Sequence, residues 1–449
     1  MPDDTEKPKH DPEMKTPDII IEGGTLLTMV DGEAPIENAN VFIKGDRIID
    51  IRQKGALPFP AGVEIIKAEK CIIMPGLVNS HCHTAMTIFR GYADDLPFKE
   101  WLFGKIFPAE AAHATPDAVY WGTLLGCLEM IASGTTAFID GYFYQDETVK
   151  AVNESGLRAI IGQGVIDFPA PGVNDPGENL RTGKEFIERH LHFSDLITPG
   201  IFCHTPVTCS ETTLVKAMEL SMEYSLPMQT HLSETLAEVN EIIKKTGKRP
   251  VVYLKDLGVL NKYLIAAHSV HLDDNEIDLL SQNSVRIVHS PESNMKLSSG
   301  IARMTDMINK GIRPGIGTDG CASNNNLDLF KEMDTAAKLG KVFTGNPVNM
   351  SAATVLKMAT SWGAEVMGLK NQTGTIERGK KADMIVVDTG SPHMTPVYNP
   401  VSSIVYSAEG NDVKDVVVNG RILMKDRRFL TLDLEEIMAR VRAISKGIK

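Results

Sequence analysis

The chain has 449 residues, a formal net charge of −12 at pH 7 and an ordinary globular composition, with 43% hydrophobic and 23% charged residues. A chain of this length can bury a large core and hold more than one structural unit. Its acidic balance argues against nucleic acid or an anionic membrane as a partner but leaves neutral and cationic small molecules open. No run of about 18 apolar residues occurs, so no transmembrane helix is expected. The six cysteines form no CxxC pair and are interpreted as reduced thiols of a cytoplasmic protein.

The two ends of the chain share a β-rich pattern. Residues 1–17 are polar, lack the apolar segment of a signal peptide and are predicted to form a disordered tail. Short apolar runs separated by turn residues follow, including a Gly-Asp hairpin signal, and the same pattern returns near the far end with an Asn-Gly signal. Two β-rich ends around a different middle predict one small β-sandwich domain assembled from both termini.

In the middle of the chain, eight apolar, strand-like runs alternate with stretches of helical periodicity, such as 116–133 and 210–225. Such alternation is typical of parallel strands joined by crossover helices, and eight units in about 300 residues fit a closed (β/α)8 TIM-like barrel. A doubly wound sheet is the alternative, although no glycine-rich nucleotide loop opens the first unit. The predicted barrel strands are 71–79, 135–140, 158–166, 197–203, 226–232, 263–268, 285–289 and 312–318. The predicted units of this α/β protein are a tail at 1–17, a composite β-sandwich at 18–70 and 381–435, a catalytic barrel at 71–380 and a C-terminal helix at 436–449.

Four histidines and an aspartate stand where predicted barrel strands end. His81 and His83 follow an apolar run and a Pro-Gly step, and alternation along a strand turns both to the same face. His231 ends the fifth strand, His268 the sixth and Asp319 the eighth. The carboxyl ends of barrel strands surround one mouth, so residues far apart in sequence can share an ion there. Imidazole and carboxylate ligands predict a site for a divalent metal.

The same positions resemble the pattern of the amidohydrolase superfamily, and further blocks resemble its deaminases of 5′-methylthioadenosine and S-adenosylhomocysteine. The similarity covers nearly the whole chain after residue 18, and the related triazine hydrolases and melamine-type deaminases share much of it. No lysine ends the fourth strand, where members with two metals carry one, which favours a single metal ion. The blocks are His83-Thr84-Ala85-Met86-Thr87, Arg90 to Leu96, Glu100-Trp101-Leu102, His231 to Thr235, Asn294 to Leu297 and Gly317 to Asn325.

The residue chemistry supports hydrolysis at one divalent ion, with zinc the expected metal and Fe²⁺ the alternative. Asp319 is expected to accept a proton from the attacking water, and His268 to orient that water and stabilise developing negative charge. Glu234 lies close to a metal ligand in sequence and is the expected proton shuttle, because a ring attacked at an amidine-like carbon gains a proton on its adjacent nitrogen. The expected metal ligands are His81, His83, His231 and Asp319.

Substrate residues follow from the same resemblance. Glu110 and His204 match residues that bind the ribose and the base, while Trp101 either covers an aromatic substrate or packs in the core. Relatives that accept S-adenosylhomocysteine carry two arginines for its amino-acid tail. Gln163, predicted to contact the substrate, stands where the first is expected, and Arg181 comes later than the second. Because a carboxylate is best held by a guanidinium, the pattern favours neutral 5′ groups, as in 5′-methylthioadenosine, 5′-deoxyadenosine or adenosine.

Two other functions remain open from the sequence. An amino- or chlorohydrolase of a triazine or another N-heterocycle would use the same metal with a different leaving group, and the Glu110 and His204 pair argues for a ribosyl substrate instead. A non-enzymatic scaffold with a relic barrel is disfavoured by the intact ligand set. The predicted partners are therefore a small nucleoside or N-heterocycle and, by resemblance, further copies of the chain in a homo-oligomer.

Overall fold

The computed structural model describes residues 16–53 and 59–448, so the predicted tail lies almost wholly outside the described residues. Its strands are β1 Ile19–Leu26, β2 Ile36–Lys44, β3 Arg47–Gln53, β4 Glu64–Lys67, β5 Cys71–Pro75, β6 Leu77–Cys82, β7 Thr135–Tyr142, β8 Arg158–Val165, β9 Ile197–Cys203, β10 Met228–Leu232, β11 Leu264–His268, β12 Arg286–His289, β13 Gly315–Ile316, β14 Met384–Asp388, β15 Val413–Val418, β16 Arg421–Lys425 and β17 Arg428–Phe429. Its α-helices are α1 Phe107–His113, α2 Pro116–Ala132, α3 Gln145–Ser155, α4 Asn179–His190, α5 Glu211–Tyr224, α6 Leu236–Thr246, α7 Pro250–Asp256, α8 Asp274–Gln282, α9 Pro291–Lys296, α10 Met304–Asn309, α11 Leu329–Thr344, α12 Ala352–Met358, α13 Ser361–Val366, α14 Pro400–Tyr406 and α15 Leu434–Ser445. A π-helix at Glu100–Ile106 and 3₁₀ helices at Thr84–Phe89, Pro176–Glu178, Pro392–Met394 and Gly410–Asp412 complete the helical elements.

Strands β6 to β13 close into one barrel, which confirms the predicted (β/α)8 fold. All eight neighbouring pairs are parallel, and the ring closes where Ile316 of β13 pairs with Asn79 of β6. Helices α2 and α5 begin and end within one residue of the predicted helical stretches at 116–133 and 210–225. Every residue of β6, β7, β10 and β11 is buried, as expected for parallel strands that helices cover on the outside.

Nine strands from both ends of the described chain form a second sheet, which confirms the predicted domain of shared termini. Its order is β17-β16-β15-β14-β5-β1-β2-β3, with β4 beside β1, and most of its pairs are antiparallel. Both predicted hairpins are present, between β2 and β3 and between β15 and β16. In the second, Asn419 and Gly420 have φ of 51° and 73°, the left-handed conformation that a tight Asn-Gly hairpin turn requires.

The predicted first barrel strand, 71–79, is two strands. Strand β5 pairs with β1 and β14 of the terminal sheet, and only β6, from Leu77, belongs to the barrel. Gly76 lies between them, and a Cβ atom there would stand 2.0 Å from Thr136 Oγ1, so no larger residue fits. The predicted barrel start at residue 71 is therefore too early. The last barrel strand is also shorter than predicted, with only Gly315–Ile316 in place of 312–318.

A buried ion pair joins the barrel to the terminal sheet. Arg158, the first residue of β8, contacts Asp383 with 2.8 Å between Nε and Oδ2, and the Asp383 carboxylate also accepts the backbone N–H of Asn419. Helix α15 packs against α2, where Arg440 lies over the ring of Trp121. Among the described residues, no helix has both the length and the apolar character needed to cross a membrane.

Candidate metal centre and substrate cavity

Four side chains converge at the carboxyl end of the barrel. His81 Nε2 lies 3.2 Å from His231 Nε2, and His83 Nε2 lies 3.3 Å from the same atom. Asp319 Oδ1 is 3.5 Å from His81 Nε2 and 3.2 Å from His83 Nε2. Ligand atoms about 2.0–2.1 Å from a tetrahedral zinc ion stand about 3.3 Å apart. The structure therefore brings the four predicted ligands to the spacing that one such ion needs.

The protonation of the cluster also fits a bound cation. Burial lowers the pKa of His81 to about 4 and that of His231 well below its ordinary value, so both rings are neutral. His83 Nδ1 donates to the Gly141 carbonyl at 2.6 Å, which leaves Nε2 to face the cluster. Although burial opposes protonation, Asp319 raises the pKa of His83 to about 8. A metal that takes the Nε2 lone pair would displace that proton.

His268 stands beside these ligands, at the end of β11. Its Nδ1 donates to Asn294 Oδ1 at 2.9 Å, and its Nε2 lies 3.8 Å from Glu234 Oε2. His268 also belongs to a group of ligand atoms that lie within 4.8 Å of one another. That group consists of His81, His231, His268 and Asp319 and does not include His83. His83 Nε2 nevertheless lies 3.2 Å from Asp319 Oδ1 and 3.3 Å from His231 Nε2, so His83 as the fourth ligand, with His268 next to the ion, stays a prediction.

Glu234 follows strand β10 and is 5% exposed. Its Oε1 accepts a hydrogen bond from Ser299 Oγ at 3.0 Å, a contact that the sequence did not suggest. Burial raises the pKa of Glu234, although His268 acts in the opposite direction. The pKa of His268 is also raised: burial acts to lower it, but the charges of Glu234 and Asp319 and the hydrogen bond to Asn294 together outweigh burial. Both groups line the same cavity.

The backbone at the ends of two strands is unusual and is held by side chains. His268 and Asp319 have φ of 67° and 62°, the left-handed region that few non-glycine residues occupy. The Asp319 carboxylate accepts from Ser293 Oγ at 2.6 Å and Ser323 Oγ at 2.9 Å on Oδ2, and from the Gly320 N–H at 2.8 Å on Oδ1. These contacts orient the carboxylate toward the histidines.

A cavity of about 760 Å³, including its open mouth, lies over the cluster. Trp101, Glu110, His204 and Glu234 all line it, and the Trp101 indole N–H donates to the Ala322 carbonyl at 3.3 Å. Burial lowers the pKa of His204 to about 3, so this ring is neutral. No lysine or arginine lies among the described residues of the lining. Its apolar part consists largely of Phe98, Leu102, Ile106, Phe107, Ile166 and Phe202.

Two predicted or suspected substrate residues lie elsewhere. Gln163 is buried and does not line this cavity, although Gly164, Val165 and Ile166 after it do. Its contact with a substrate stays a prediction. Arg181 is exposed on α4, where it pairs with Glu178 and, at 2.5 Å, with Glu185. It does not replace the missing tail-binding arginines in this structure.

Sequence reasoning missed two ionisable residues that line the cavity, Tyr142 and Glu238. Tyr142 ends β7 and lies beside Glu110, and its position at a strand end was a signal that could have found it. Burial raises the pKa of Glu110 to about 7, and that of Glu238 to about 7 with the charge of Glu234 adding to the effect. Glu238 also accepts the Thr235 N–H in a capping box, and this ordinary helix-start pattern concealed its place in the cavity.

Known proteins resemble this chain over nearly its whole length. The model of the amidohydrolase family matches residues 72–423. The chain is 44% identical over 434 residues to a 5-methylthioadenosine/S-adenosylhomocysteine deaminase of Syntrophobacter fumaroxidans, covering 96% of this chain and 98% of that protein. It is 45% identical over 433 residues to a 5′-deoxyadenosine deaminase of Methanosarcina acetivorans, with the same coverage of 96% and 98%.

Two solved structures superpose on this chain over nearly its whole length. An adenosine deaminase from Xanthomonas campestris with bound zinc superposes with a TM-score of 0.93 at 33% identity, over 96% of this chain and 98% of that one. An atrazine chlorohydrolase from Arthrobacter aurescens complexed with zinc gives a TM-score of 0.89 at 22% identity, over 95% of this chain and 100% of that one. At that identity the second likeness is one of fold alone.

Proposed function

Since the chain belongs to the amidohydrolase family, we propose that its barrel carries a metal-dependent hydrolytic deaminase of adenine nucleosides. The reaction replaces the exocyclic amino group of the adenine with oxygen from water, releases ammonia and leaves the inosine analogue. One observation carries the proposal: the convergence of three imidazoles and Asp319 in a cavity where Glu234 stands beside His268. That arrangement supplies metal ligands and a proton donor on the same side of a planar substrate.

We assign the proton transfers of this reaction to Glu234 and Asp319. His81, His83, His231 and Asp319 would hold a divalent ion, which we propose to be zinc and which would supply a Lewis acid that lowers the pKa of a water molecule toward neutrality. Glu234, whose pKa burial raises, donates its proton to the ring nitrogen next to the attacked carbon. Asp319 accepts one proton from the attacking water, and His268, held by Asn294, orients that water. As the adduct collapses, the proton on Asp319 leaves with ammonia and the hydroxyl proton of the adduct restores Glu234.

The cavity also supports a choice among adenine nucleosides. We assign the ribose to Glu110 and the base to His204, both of which line the cavity. The lining has no described lysine or arginine to meet a carboxylate, and Arg181 is engaged by two glutamates on the surface. Neutral 5′ groups are therefore favoured, as in 5′-methylthioadenosine, 5′-deoxyadenosine and adenosine, over the zwitterionic tail of S-adenosylhomocysteine.

A substrate panel tests the proposal. Metal-free protein loaded with zinc, or with Fe²⁺ in a parallel sample, is incubated with adenine nucleosides and with amino- and chlorotriazines, and ammonia release and ultraviolet change are followed. We expect ammonia from the nucleosides, with Glu110→Gln reducing that turnover. Turnover of triazines alone, unaffected by Glu110→Gln, would replace the proposal with the triazine alternative. No turnover of any compound in either metal form would contradict both.

A further inference from the structure

Glu332, on helix α11, is a fully buried carboxyl outside the lining of the cavity. Its Oε1 accepts from Asn324 Nδ2 at 2.6 Å, and its Oε2 accepts the backbone N–H of Glu292 at 3.2 Å. Burial and the nearby carboxylate of Glu292 raise the pKa of Glu332 well above its ordinary value. Burying a carboxyl costs free energy that burying an apolar side chain would not. The two hydrogen bonds of Glu332 therefore indicate that this carboxyl holds its two partners in place.

The first contact leads to the metal ligand Asp319. Asn324 uses its side-chain amide twice, toward Glu332 and toward the Thr318 carbonyl at 2.8 Å, which directly precedes Asp319. Its neighbour Ser323 donates to Asp319 Oδ2 at 2.9 Å. Glu332 therefore holds the loop that follows β13 from behind, at the point where the backbone of Asp319 adopts its left-handed conformation.

The second contact leads to the other side of the same ligand. Glu292 lies in the first turn of α9, and the next two residues of that helix both reach the site. Ser293 donates to Asp319 Oδ2 at 2.6 Å, and Asn294 accepts from His268 Nδ1 at 2.9 Å. One carboxyl thus connects the loops after β12 and β13, which together orient a metal ligand and the histidine next to it.

We propose that Glu332 is a positioning residue for the metal centre, acting through Asn324 and through the start of α9 on Asp319 and His268. The inference rests on the proposed function for its catalytic meaning, since it assigns Asp319 and His268 to the reaction. Both neighbours of Glu332 present N–H donors, so the site requires two acceptor oxygens. Glu332→Gln would keep the size of the side chain but place an amide N–H₂ against one of those donors.

Glu276 on α8 offers a matched control. It is equally buried and also joins a side-chain nitrogen to a backbone nitrogen, accepting from Arg249 Nε at 2.8 Å and from the Val251 N–H at 3.2 Å. These contacts connect the start of helix α7 to helix α8. Arg249 also donates to the His271 carbonyl at 2.6 Å in the loop after β11, but none of these contacts reaches Asp319 or its hydrogen-bond partners. Glu276→Gln should therefore reveal what a generally weakened buried carboxyl does to the protein, with no specific effect on the metal.

The test compares the two variants with wild type as full-length, metal-loaded protein. Five properties are measured: Tm, zinc affinity by competition with a chelator, the visible absorption spectrum after Co²⁺ substitution, and kcat and KM for a deaminated nucleoside. Loss of a group that orients a metal ligand typically costs about 10- to 100-fold in metal affinity or activity. Glu332→Gln should lose zinc affinity or kcat in that range and change the Co²⁺ spectrum while KM stays close to wild type. Glu276→Gln should change only Tm.

Equal effects of the two variants on the metal properties would overturn the proposal, as would a wild-type Co²⁺ spectrum, zinc affinity and kcat in Glu332→Gln. If Glu332→Gln fails to fold, Asn324→Ala tests the same connection and must show the same losses. The double variant should lose no more zinc affinity or kcat than the more impaired of the two single variants, because both changes break one network. Zinc affinity and the Co²⁺ spectrum remain informative even if wild type deaminates nothing, so failure of the proposed function is distinguishable from failure of this inference.

Discussion

Replacing Glu110 with glutamine should stabilise the protein at high pH and leave it nearly unchanged at low pH. Burial raises the pKa of this carboxyl to about 7 from an ordinary 4.5. Between these two values the folded protein keeps a proton that the unfolded chain has lost, so the contribution of Glu110 to stability falls as pH rises. Above about pH 7 the full cost of a buried charge applies. Glutamine has nearly the same shape and no charge to bury.

The size of this effect follows from the pKa. The difference between about 7 and 4.5 corresponds to about 3 kcal/mol at 1.36 kcal/mol per pKa unit. At pH 5 most of this cost is absent, because Glu110 is still protonated in the folded state. Glu110→Gln should therefore gain about 2 kcal/mol more at pH 8 than at pH 5 relative to wild type. Paired unfolding curves measure this difference, and the pH dependence of metal binding cancels because both proteins share it.

Glu276→Gln provides the opposite case. Glu276 is also buried but pairs with Arg249, with 2.7 Å between Oε2 and Nη2, so its amide variant should lose stability at both pH values. An equal stability difference for Glu110→Gln at pH 5 and pH 8 would refute the reasoning, since burial would then not penalise the charge.

In activity assays, the KM of wild type for an adenine nucleoside should rise as pH falls below about 7, and that of Glu110→Gln should not.

Three further predictions concern the metal and the substrate. Glu234→Gln should keep the fold and the metal but lose about a hundredfold or more in kcat, and near-normal turnover would remove Glu234 from the mechanism. 5′-Methylthioadenosine should exceed S-adenosylhomocysteine about ten- to hundredfold in kcat/KM, because a charge-assisted contact is worth about 1.5–3 kcal/mol. Arg181→Ala should leave that ratio unchanged, and a ratio that depends on Arg181 would show that α4 supplies the clamp. Elemental analysis should find about one divalent metal per chain, lost together with turnover in His81→Ala, whereas two tightly bound metals would contradict the single-metal site.

The barrel could be predicted from sequence because parallel strands buried on both faces appear as separate apolar runs. The error at 71–79 arose because two buried strands follow each other with only Gly76 between them, and hydrophobicity alone cannot tell which sheet each one joins. The last strand was overestimated because the apolar run at 312–318 continues beyond the two residues that make ladder contacts. Only the packing of the β-rich ends against the barrel decides both points.

The convergence of the candidate metal ligands could be predicted because each stands at the carboxyl end of a strand, where the topology itself brings side chains together. Gln163 shows the limit of this reasoning, because the strand-end residues that line the cavity are Gly164, Val165 and Ile166, and the sequence pattern does not tell which of neighbouring residues reaches it. Glu332 carries no sequence signal of its function. Its two partners come from loops that tertiary packing alone brings to α11.

Deamination in water labelled with heavy oxygen tests the central claim most directly. Zinc-loaded protein is incubated with 5′-deoxyadenosine, the purine product is analysed by mass spectrometry, and ammonia is measured in the same sample. The account predicts one labelled oxygen in the base of the inosine analogue for each ammonia released. Glu234→Gln should lose both the label and the ammonia. Wild type treated with a chelator should also lose both and regain them when zinc is added. Release of free adenine, ammonia without label in the base, or full turnover in the presence of chelator would contradict it.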